Sequence, residues 1–346
     1  MLLFHNDYNE MCHPAVMEYM IKNQGLQHDG YGVDACCNSA AEKIRALCDN
    51  KDVAVHFLVG GTQTNLTVIS ASLRPHQAAI GAVTAHINVH ETGAIEATGH
   101  KVIGIPSDDG KITARQVEEL VVEHRRDGAF EHIAQPKLVY ISNSTELGTI
   151  YTLAELEAIS AVCKKYGLIL FVDGARLGYA LAAKDNDVTL ADLARLCDVF
   201  YIGGTKVGAM FGEAVVISNP AVAEDFRYLI KQRGAMLAKG WMLGIQFDAL
   251  MTDDLYFNIS RHADAMADRI RQTLAELGHP LYVCGTTNQI FAVLPNVLLD
   301  KLSENFTFSE QARVDEDHRA VRFCTSWATK PEAVDALCRE LTLLSK

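Results

Sequence analysis

The sequence predicts an α/β sandwich in which helices cover a seven-stranded, mostly parallel sheet, with a smaller C-terminal α+β domain after it. Seven short β-rich runs are almost continuously apolar, which is typical of strands buried on both faces. Helix-like segments alternate with these runs, as they do in layered α/β folds. The length of 346 residues exceeds what one core usually holds, which favours a large domain joined to a small one.

The predicted elements of the large domain follow one another along the chain. The runs that predict strands are residues 53–59, 78–85, 101–105, 137–142, 168–172, 198–202 and 213–218. The clearest helices between them are residues 64–72, 113–124, 152–166 and 190–195. Two of these helices start with a capping box, Thr113 with Gln116 and Thr152 with Glu155, which satisfies backbone donors in the first turn.

The pattern changes near residue 220, where a long helical tract replaces the alternation. This tract covers residues 221–254 and 259–277, with breaks near Gly234 and Gly240, and it is followed by strand-like runs at 281–284, 289–294 and 320–325 and a closing helix at 331–344. We place the domain boundary so that residues 1–245 form the large domain with an N-terminal arm and residues 246–346 form the small one. No long Pro/Ser-rich linker separates them, so they are expected to pack closely.

Composition limits the classes of partner and compartment. A net charge of −12 disfavours nucleic acids and anionic membranes, which require clustered Lys and Arg. No apolar stretch approaches the ~20 residues that span a bilayer, and the first residues lack the features of a signal peptide. Nine cysteines without a C-x-x-C motif predict reduced thiols in the cytoplasm, although the adjacent Cys36 and Cys37 leave a redox pair as an alternative.

Lys206 is the most informative residue of the chain. It follows the predicted strand 198–202 and stands between two pairs of glycines, before the next apolar run. Lysine is rarely buried without a partner, and desolvation of its amine favours the neutral, nucleophilic form. This position predicts a Schiff-base lysine, and the alternative is an ordinary lysine on a solvated loop.

Asp173 and Arg176 follow another predicted strand, residues 168–172. Ligands of α/β sheets bind beyond the carboxyl ends of the strands, so both side chains are well placed for a site. An aspartate there can hold a protonated ring nitrogen, and an arginine can hold a carboxylate with two hydrogen bonds. The alternative is that Asp173 only caps the segment that follows it.

A glycine-rich turn leads from the strand at 53–59 into the next helix. The free backbone N–H groups of Gly61, Thr62 and Gln63 at a helix start would form an anion site. The turn matches no nucleotide-binding motif. The alternative is a tight turn in which Thr64 caps the helix.

His86 and His90 follow the predicted strand 78–85, four residues apart and next to Glu91. This is metal-ligand spacing if the segment is helical, but no H-E-x-x-H motif or third ligand accompanies it, so no metal is predicted. A catalytic or ring-stacking histidine fits better. An amine nucleophile, a strand-end Asp/Arg pair, an anion site and an imidazole together form the set that pyridoxal 5′-phosphate requires.

These motifs occur in an order that resembles the threonine aldolase/β-eliminating lyase family of fold-type I pyridoxal-phosphate enzymes, and most of all its low-specificity L-threonine aldolases. The matching segments, which extend over nearly the whole chain, are Asn6-Asp7, residues 30–34 and 61–66, His86 with Glu91 and Gly93, residues 173–176, Thr205-Lys206 and Val321-Arg322. The resemblance implies a three-layer fold of the pyridoxal-phosphate transferase type. It also implies a dimer of dimers with active sites at subunit interfaces.

The resemblance also implies a role for each site residue. Lys206 would hold the cofactor through a Schiff base, Asp173 would bind the ring nitrogen and His86 would stack on the ring. The remaining cofactor contacts would be Gly61, Thr62, Gln63, Arg176, Thr205 and, as a substitute for an arginine that reaches a neighbour's phosphate, Lys239. The substrate carboxylate would be held by Asn6, Arg176 and Arg322.

The activity implied by the resemblance is aldol cleavage of a threonine-like or allo-threonine-like β-hydroxy-α-amino acid to glycine and an aldehyde. Glu146 stands where typical members carry a histidine near the substrate hydroxyl, so Glu146 and His90 are both candidates for the base. The alternative reaction is β-elimination from an amino acid with a leaving group at Cβ, with Lys206 as the base. A third hypothesis is a protein that binds pyridoxal phosphate but has lost the catalytic activity.

Overall fold

A computed structural model describes residues 1–346, and its strands form three sheets. In chain order the strands are β1 (Leu2–Leu3), β2 (Ala54–Leu58), β3 (Gln77–Ala82), β4 (Lys101–Ile105), β5 (Gln135–Ser142), β6 (Ile169–Asp173), β7 (Val199–Gly203), β8 (Glu213–Ile217), β9 (Leu281–Val283), β10 (Gln289–Pro295), β11 (Phe306–Thr307), β12 (Ser309–Arg313) and β13 (His318–Cys324). The central sheet has the order β2-β8-β7-β6-β5-β3-β4. β8 is antiparallel to both of its neighbours, and the other pairs are parallel.

Fourteen α-helices connect and cover these strands. They are α1 (Pro14–Lys22), α2 (Ala35–Leu47), α3 (Gly61–Ser72), α4 (His86–Val89), α5 (Ala114–Arg126), α6 (Leu153–Tyr166), α7 (Leu177–Ala182), α8 (Leu190–Leu196), α9 (Pro220–Ala223), α10 (Phe226–Gln232), α11 (Trp241–Leu250), α12 (Leu255–Glu276), α13 (Asn296–Leu302) and α14 (Pro331–Leu344). The capping boxes predicted at Thr113 and Thr152 are both present, and Thr189 forms a third with Asp192. None of the helices combines the length and apolar character needed to cross a membrane.

All seven predicted strands of the central sheet are confirmed, with ends shifted by three residues at most. The largest shift is at the strand predicted to reach residue 85. It ends at Ala82 because the chain turns there, with the Ala85 N–H donating to the Ala82 carbonyl. The α/β sandwich is therefore as predicted, and all nine cysteines are unpaired.

The C-terminal part has its own antiparallel sheet, in the order β12-β13-β10-β9, as the predicted α+β character requires. A separate apolar core lies between this sheet and the helices α12, α13 and α14. α12 contributes to both cores, because Ile259 and Ala263 belong to the main one while Ile270 and Leu274 belong to the second. The domain boundary at residues 245 and 246 stays a prediction.

The N-terminal arm crosses from one core to the other. β1 pairs in parallel with β11, and Phe4 is buried in the second core. Three residues later, Asp7 is buried against Arg176, just beyond the carboxyl end of β6. The arm therefore fixes the C-terminal sheet next to the carboxyl ends of the central strands.

Candidate functional site

Most of the predicted site residues meet at the carboxyl ends of β5, β6 and β7. A cavity of about 340 Å³ lies between these strand ends, the start of α3 and the turn that joins β7 to β8. A second cavity of about 560 Å³ adjoins it on the side of β12 and β13. The residues that line both cavities are Tyr8, His86, Glu146, Arg176 and Lys206.

Lys206 lies in the turn after β7, which is held firmly by the residues around it. The Tyr179 hydroxyl donates to the Lys206 carbonyl at 2.5 Å, and the N–H groups of Gly204 and Thr205 both donate to the carbonyl of Gly212. The amine forms neither a hydrogen bond nor an ion pair and borders both cavities. Burial, reinforced by the charge of Arg176, lowers the pKa of Lys206. These contacts favour a free, nucleophilic amine over a lysine on a solvated loop.

Asp173 ends β6 with its carboxylate buried and saturated with donors. The hydroxyls of Tyr140 and Tyr201 donate to it at 2.5 Å each, the Asn65 amide at 3.0 Å and the Ala175 N–H at 2.9 Å. Burial alone would favour the neutral acid, but the hydrogen bonds outweigh it and lower the pKa of Asp173. The Ala175 contact is the local capping of the following segment that the sequence left as an alternative. The other three donors come from distant parts of the chain, so capping alone does not account for the position of this carboxylate.

His86 is tied to the same carboxylate through two intermediate side chains. Its Nδ1 lies 2.8 Å from Oε1 of the buried Glu91. The Asn65 amide donates to that same oxygen at 2.7 Å and also to Asp173. This chain fixes the imidazole at the cavity wall with its other nitrogen left free of protein partners.

The first turn of α3 presents backbone donors to the cavity. Its N-cap is Gly60 and no side chain caps it, so the alternative in which Thr64 is the cap is wrong. Gly61 and Thr62 line the cavity, whereas the Gln63 side chain turns away to the Val59 N–H and the Arg233 carbonyl. Uncapped N–H groups at the start of a helix form an anion site.

Of the three residues expected to hold the substrate carboxylate, two line a cavity and one does not. Arg176 lines both cavities, but its Nε and Nη2 donate to Asp7 at 2.8 and 3.0 Å. Arg322 lines the second cavity from β13, held by the His5 carbonyl and Gln289, and its buried Nε has no partner. Asn6 is not brought to either cavity, because its side chain accepts from the Tyr8 N–H in a local turn.

The two candidate bases approach the cavities from different elements. Glu146 follows β5, and its Oε1 accepts from the His86 N–H at 2.9 Å and the Ser142 hydroxyl at 2.7 Å. Burial raises the pKa of Glu146, and partial burial lowers the pKa of His90. Glu146 borders both cavities, whereas His90 borders only the second.

Lys239 is exposed, just before α11, and lines neither cavity of its own chain. Several residues of the site had no role in the sequence-based prediction, among them Asn65, Tyr140, Tyr201 and Glu213. The two tyrosines lie within apolar runs, so the sequence does not distinguish them from ordinary core residues. Glu213 left a clearer signal, since it is an acidic residue at the start of a buried strand.

The chain is similar in sequence and structure to known proteins along its whole length. The beta-eliminating lyase family profile matches residues 9–296. A low specificity L-threonine aldolase from Pseudomonas aeruginosa is 30% identical, with 98% of this chain and 96% of that protein covered. The structure of Leishmania major threonine aldolase is 46% identical and superposes with a TM-score of 0.97 over 100% of both chains.

A more distant structure agrees with this assignment at the level of the fold alone. Histidinol-phosphate aminotransferase from Clostridium acetobutylicum is 13% identical and has a TM-score of 0.74, covering 100% of this chain and 99% of that one. The predicted fold-type I sandwich is thereby confirmed. The matches in sequence and structure lead to one conclusion: this chain belongs to the beta-eliminating lyase family.

Proposed function

We propose that this protein uses pyridoxal 5′-phosphate to cleave a β-hydroxy-α-amino acid, such as threonine or allo-threonine, to glycine and an aldehyde. The observation that carries the proposal is the unpartnered Lys206 amine in a cavity that also contains the ionised Asp173. The similarity to proteins named as threonine aldolases supports the same reaction.

The residues of the first cavity fit this cofactor. Lys206 offers a free amine, Asp173 an anionic carboxylate for a ring N–H, and the uncapped start of α3 its N–H groups for a phosphate. A Cβ on Gly61 would lie 3.2 Å from the Tyr201 hydroxyl, so glycine keeps the backbone close to the cavity floor. Pyridoxal phosphate, when bound, supplies an electron sink for the electrons of the Cα–Cβ bond.

The protein's own part in the cleavage is to bind the substrate and move its protons. The guanidinium groups of Arg322 and Arg176 attract the substrate carboxylate, and the unpartnered Nε of Arg322 leaves a donor for it. Glu146 is our first choice to accept the β-hydroxyl proton, because its carboxylate borders both cavities and burial raises its pKa towards the range of a working base. The His86 N–H and the Ser142 hydroxyl orient that carboxylate.

A coupled assay with L-threonine and L-allo-threonine tests the proposal. We expect acetaldehyde and glycine as products, and no activity in Lys206→Ala. The products 2-oxobutyrate and ammonia would instead assign the β-elimination reaction. A protein that binds pyridoxal phosphate but yields neither pair of products would support the third hypothesis, in which the chemistry is lost.

We also propose a cytoplasmic dimer of dimers, with Lys239 reaching the cofactor phosphate of a neighbouring subunit. Its exposure at the start of α11, outside the cavities of its own chain, supports a role across an interface. Light scattering of the purified chain gives the mass. Lys239→Ala is expected to weaken cofactor binding without changing that mass, and an unchanged affinity would contradict the role.

A further inference from the structure

Glu213 is a buried carboxylate in the first cavity for which the proposed function leaves no role. It opens β8, is 3% exposed and forms no ion pair. Its Oε2 accepts from the Gly204 N–H at 3.0 Å, and its Oε1 accepts from the Thr205 hydroxyl at 2.8 Å. It therefore occupies donors of the very turn that presents Lys206.

The position of Glu213 places it at the anion-binding side of the cavity. In the sheet it pairs with Leu58 of β2, only three residues before Gly61, and with Gly203 of β7 on the other side. Gly61, Thr62 and Thr205 line the same cavity. A negative charge at Glu213 would repel an anion held by these groups.

The charges around the cavity leave little to balance that negative charge. Of the cations that line it, Arg176 is already paired with Asp7, so Lys206 remains. The other carboxylates that line it are Glu146 and Asp173. A phosphate would add to this surplus of negative charge, so binding is favoured if one carboxylate becomes neutral.

Glu213 is the carboxylate best suited to take that proton. Asp173 is held ionised by four donors, and Glu146 also faces the second cavity. The titratable groups that face Glu213 are Lys206, Asp173, Tyr201 of β7 and Tyr256 of α12. Burial raises the pKa of Glu213 to about 8, a value at which it gains or loses its proton near neutral pH.

We propose that Glu213 is a positioning residue of the cofactor site that takes up one proton when a phosphate-bearing ligand binds beside Thr205. This inference rests on the proposed use of pyridoxal phosphate. The neutral acid keeps the Gly204–Lys206 turn in place through its hydrogen bonds while it removes the repulsion. Affinity for the ligand then falls as pH rises through the titration of the free protein, by up to about tenfold per pH unit.

Calorimetry on the full chain freed of cofactor tests this, with pyridoxine 5′-phosphate as the probe because it lacks the aldehyde that reacts with Lys206. Titrations in two buffers of different ionisation enthalpy give the number of protons taken up. We expect wild-type uptake to rise towards one proton between pH 7 and 9, and Glu213→Gln to lose this rise. Glu224→Gln, an exposed site with the same charge change, is the matched control and should behave as wild type.

The outcomes separate this inference from the proposed function. Binding with equal uptake in wild type and Glu213→Gln, or with no uptake in wild type, overturns the role of Glu213 and leaves the cofactor assignment standing. Failure of the wild-type protein to bind the probe at all overturns the inference, whereas failure to show a Schiff-base absorbance band with pyridoxal phosphate overturns the proposed function. The absence of proton uptake in wild type would by itself overturn the role of Glu213, so a poorly folded variant does not protect the inference.

Discussion

Asp264 gives the sharpest test of the electrostatics of this fold, because it is a buried acid outside the site. It lies on α12, is 5% exposed, and neither of its carboxyl oxygens has a hydrogen-bond partner. Burial raises its pKa from 3.8 to about 9, although the charge of Arg271 opposes the shift. We therefore expect Asp264→Asn, which keeps the size and polarity but cannot ionise, to stabilise the protein.

The size of the effect follows from the linkage between protonation and folding. The unfolded chain releases the Asp264 proton above about pH 3.8, whereas the folded protein keeps it until about pH 9, so wild type loses stability as pH rises between these values. One pH unit in this window is worth about 1.4 kcal/mol. The advantage of Asp264→Asn should therefore grow by up to about 2.7 kcal/mol between pH 6 and pH 8.

Equilibrium urea unfolding at pH 6 and pH 8, followed by far-UV circular dichroism, measures this difference. Asp52→Asn is the matched control, since Asp52 is exposed in a turn and its substitution should give the same small change at both pH values. An advantage of Asp264→Asn that is equal at the two pH values would refute the reasoning. It would mean that the folded protein accommodates the ionised carboxylate.

Three further predictions concern the site and its supports. If Glu146 is the base, activity should rise with pH as its carboxyl group ionises, and Glu146→Gln should abolish this rise and lower kcat by about 10²–10⁴-fold. A larger loss in His90→Gln would instead make His90 the base. Tyr140→Phe removes a donor to Asp173 and should cost about 1–3 kcal/mol at pH 7. Because the hydrogen bonds lower the pKa of Asp173, their stabilisation is lost as pH falls through that pKa, so the melting temperatures of Tyr140→Phe and wild type should converge on acidification. Thr92 has a φ of 52°, in the left-handed region, so Thr92→Gly should raise the melting temperature by relieving about 1 kcal/mol of strain, and a lower one would contradict this.

The parts of the fold that the sequence predicted are those with strong local signals. Continuous apolar runs identified every strand of the central sheet, because strands covered by helices on both faces need no polar positions. The strand β12 was not anticipated, since its segment Ser309–Arg313 is polar and largely exposed. β1 and β11 have two residues each and form only through their pairing, which no local pattern reveals.

The site was predicted to the extent that its residues stand next to glycines at strand ends. Lys206, Asp173 and Arg176 were found in this way, and the structure brings them into one cavity. Tyr201, by contrast, is a donor whose partner lies 28 positions away in sequence, and nothing in an apolar run distinguishes its hydroxyl from that of any core tyrosine. The pairing of Arg176 with Asp7 depends on where the N-terminal arm lies, which only the fold supplies.

The route of that arm has a consequence for how the enzyme matures. The Phe4 N–H donates to the Thr307 carbonyl, a partner 303 positions later in the chain, so a ribosome makes nearly the whole protein before Leu2–Phe4 have their partners. Contacts between residues this distant in sequence form slowly, and they form late in folding. The pairing of Asp7 with Arg176 is thereby coupled to completion of the chain. A product truncated before β11 would leave Asp7 without the β1–β11 pairing that supports its approach to Arg176.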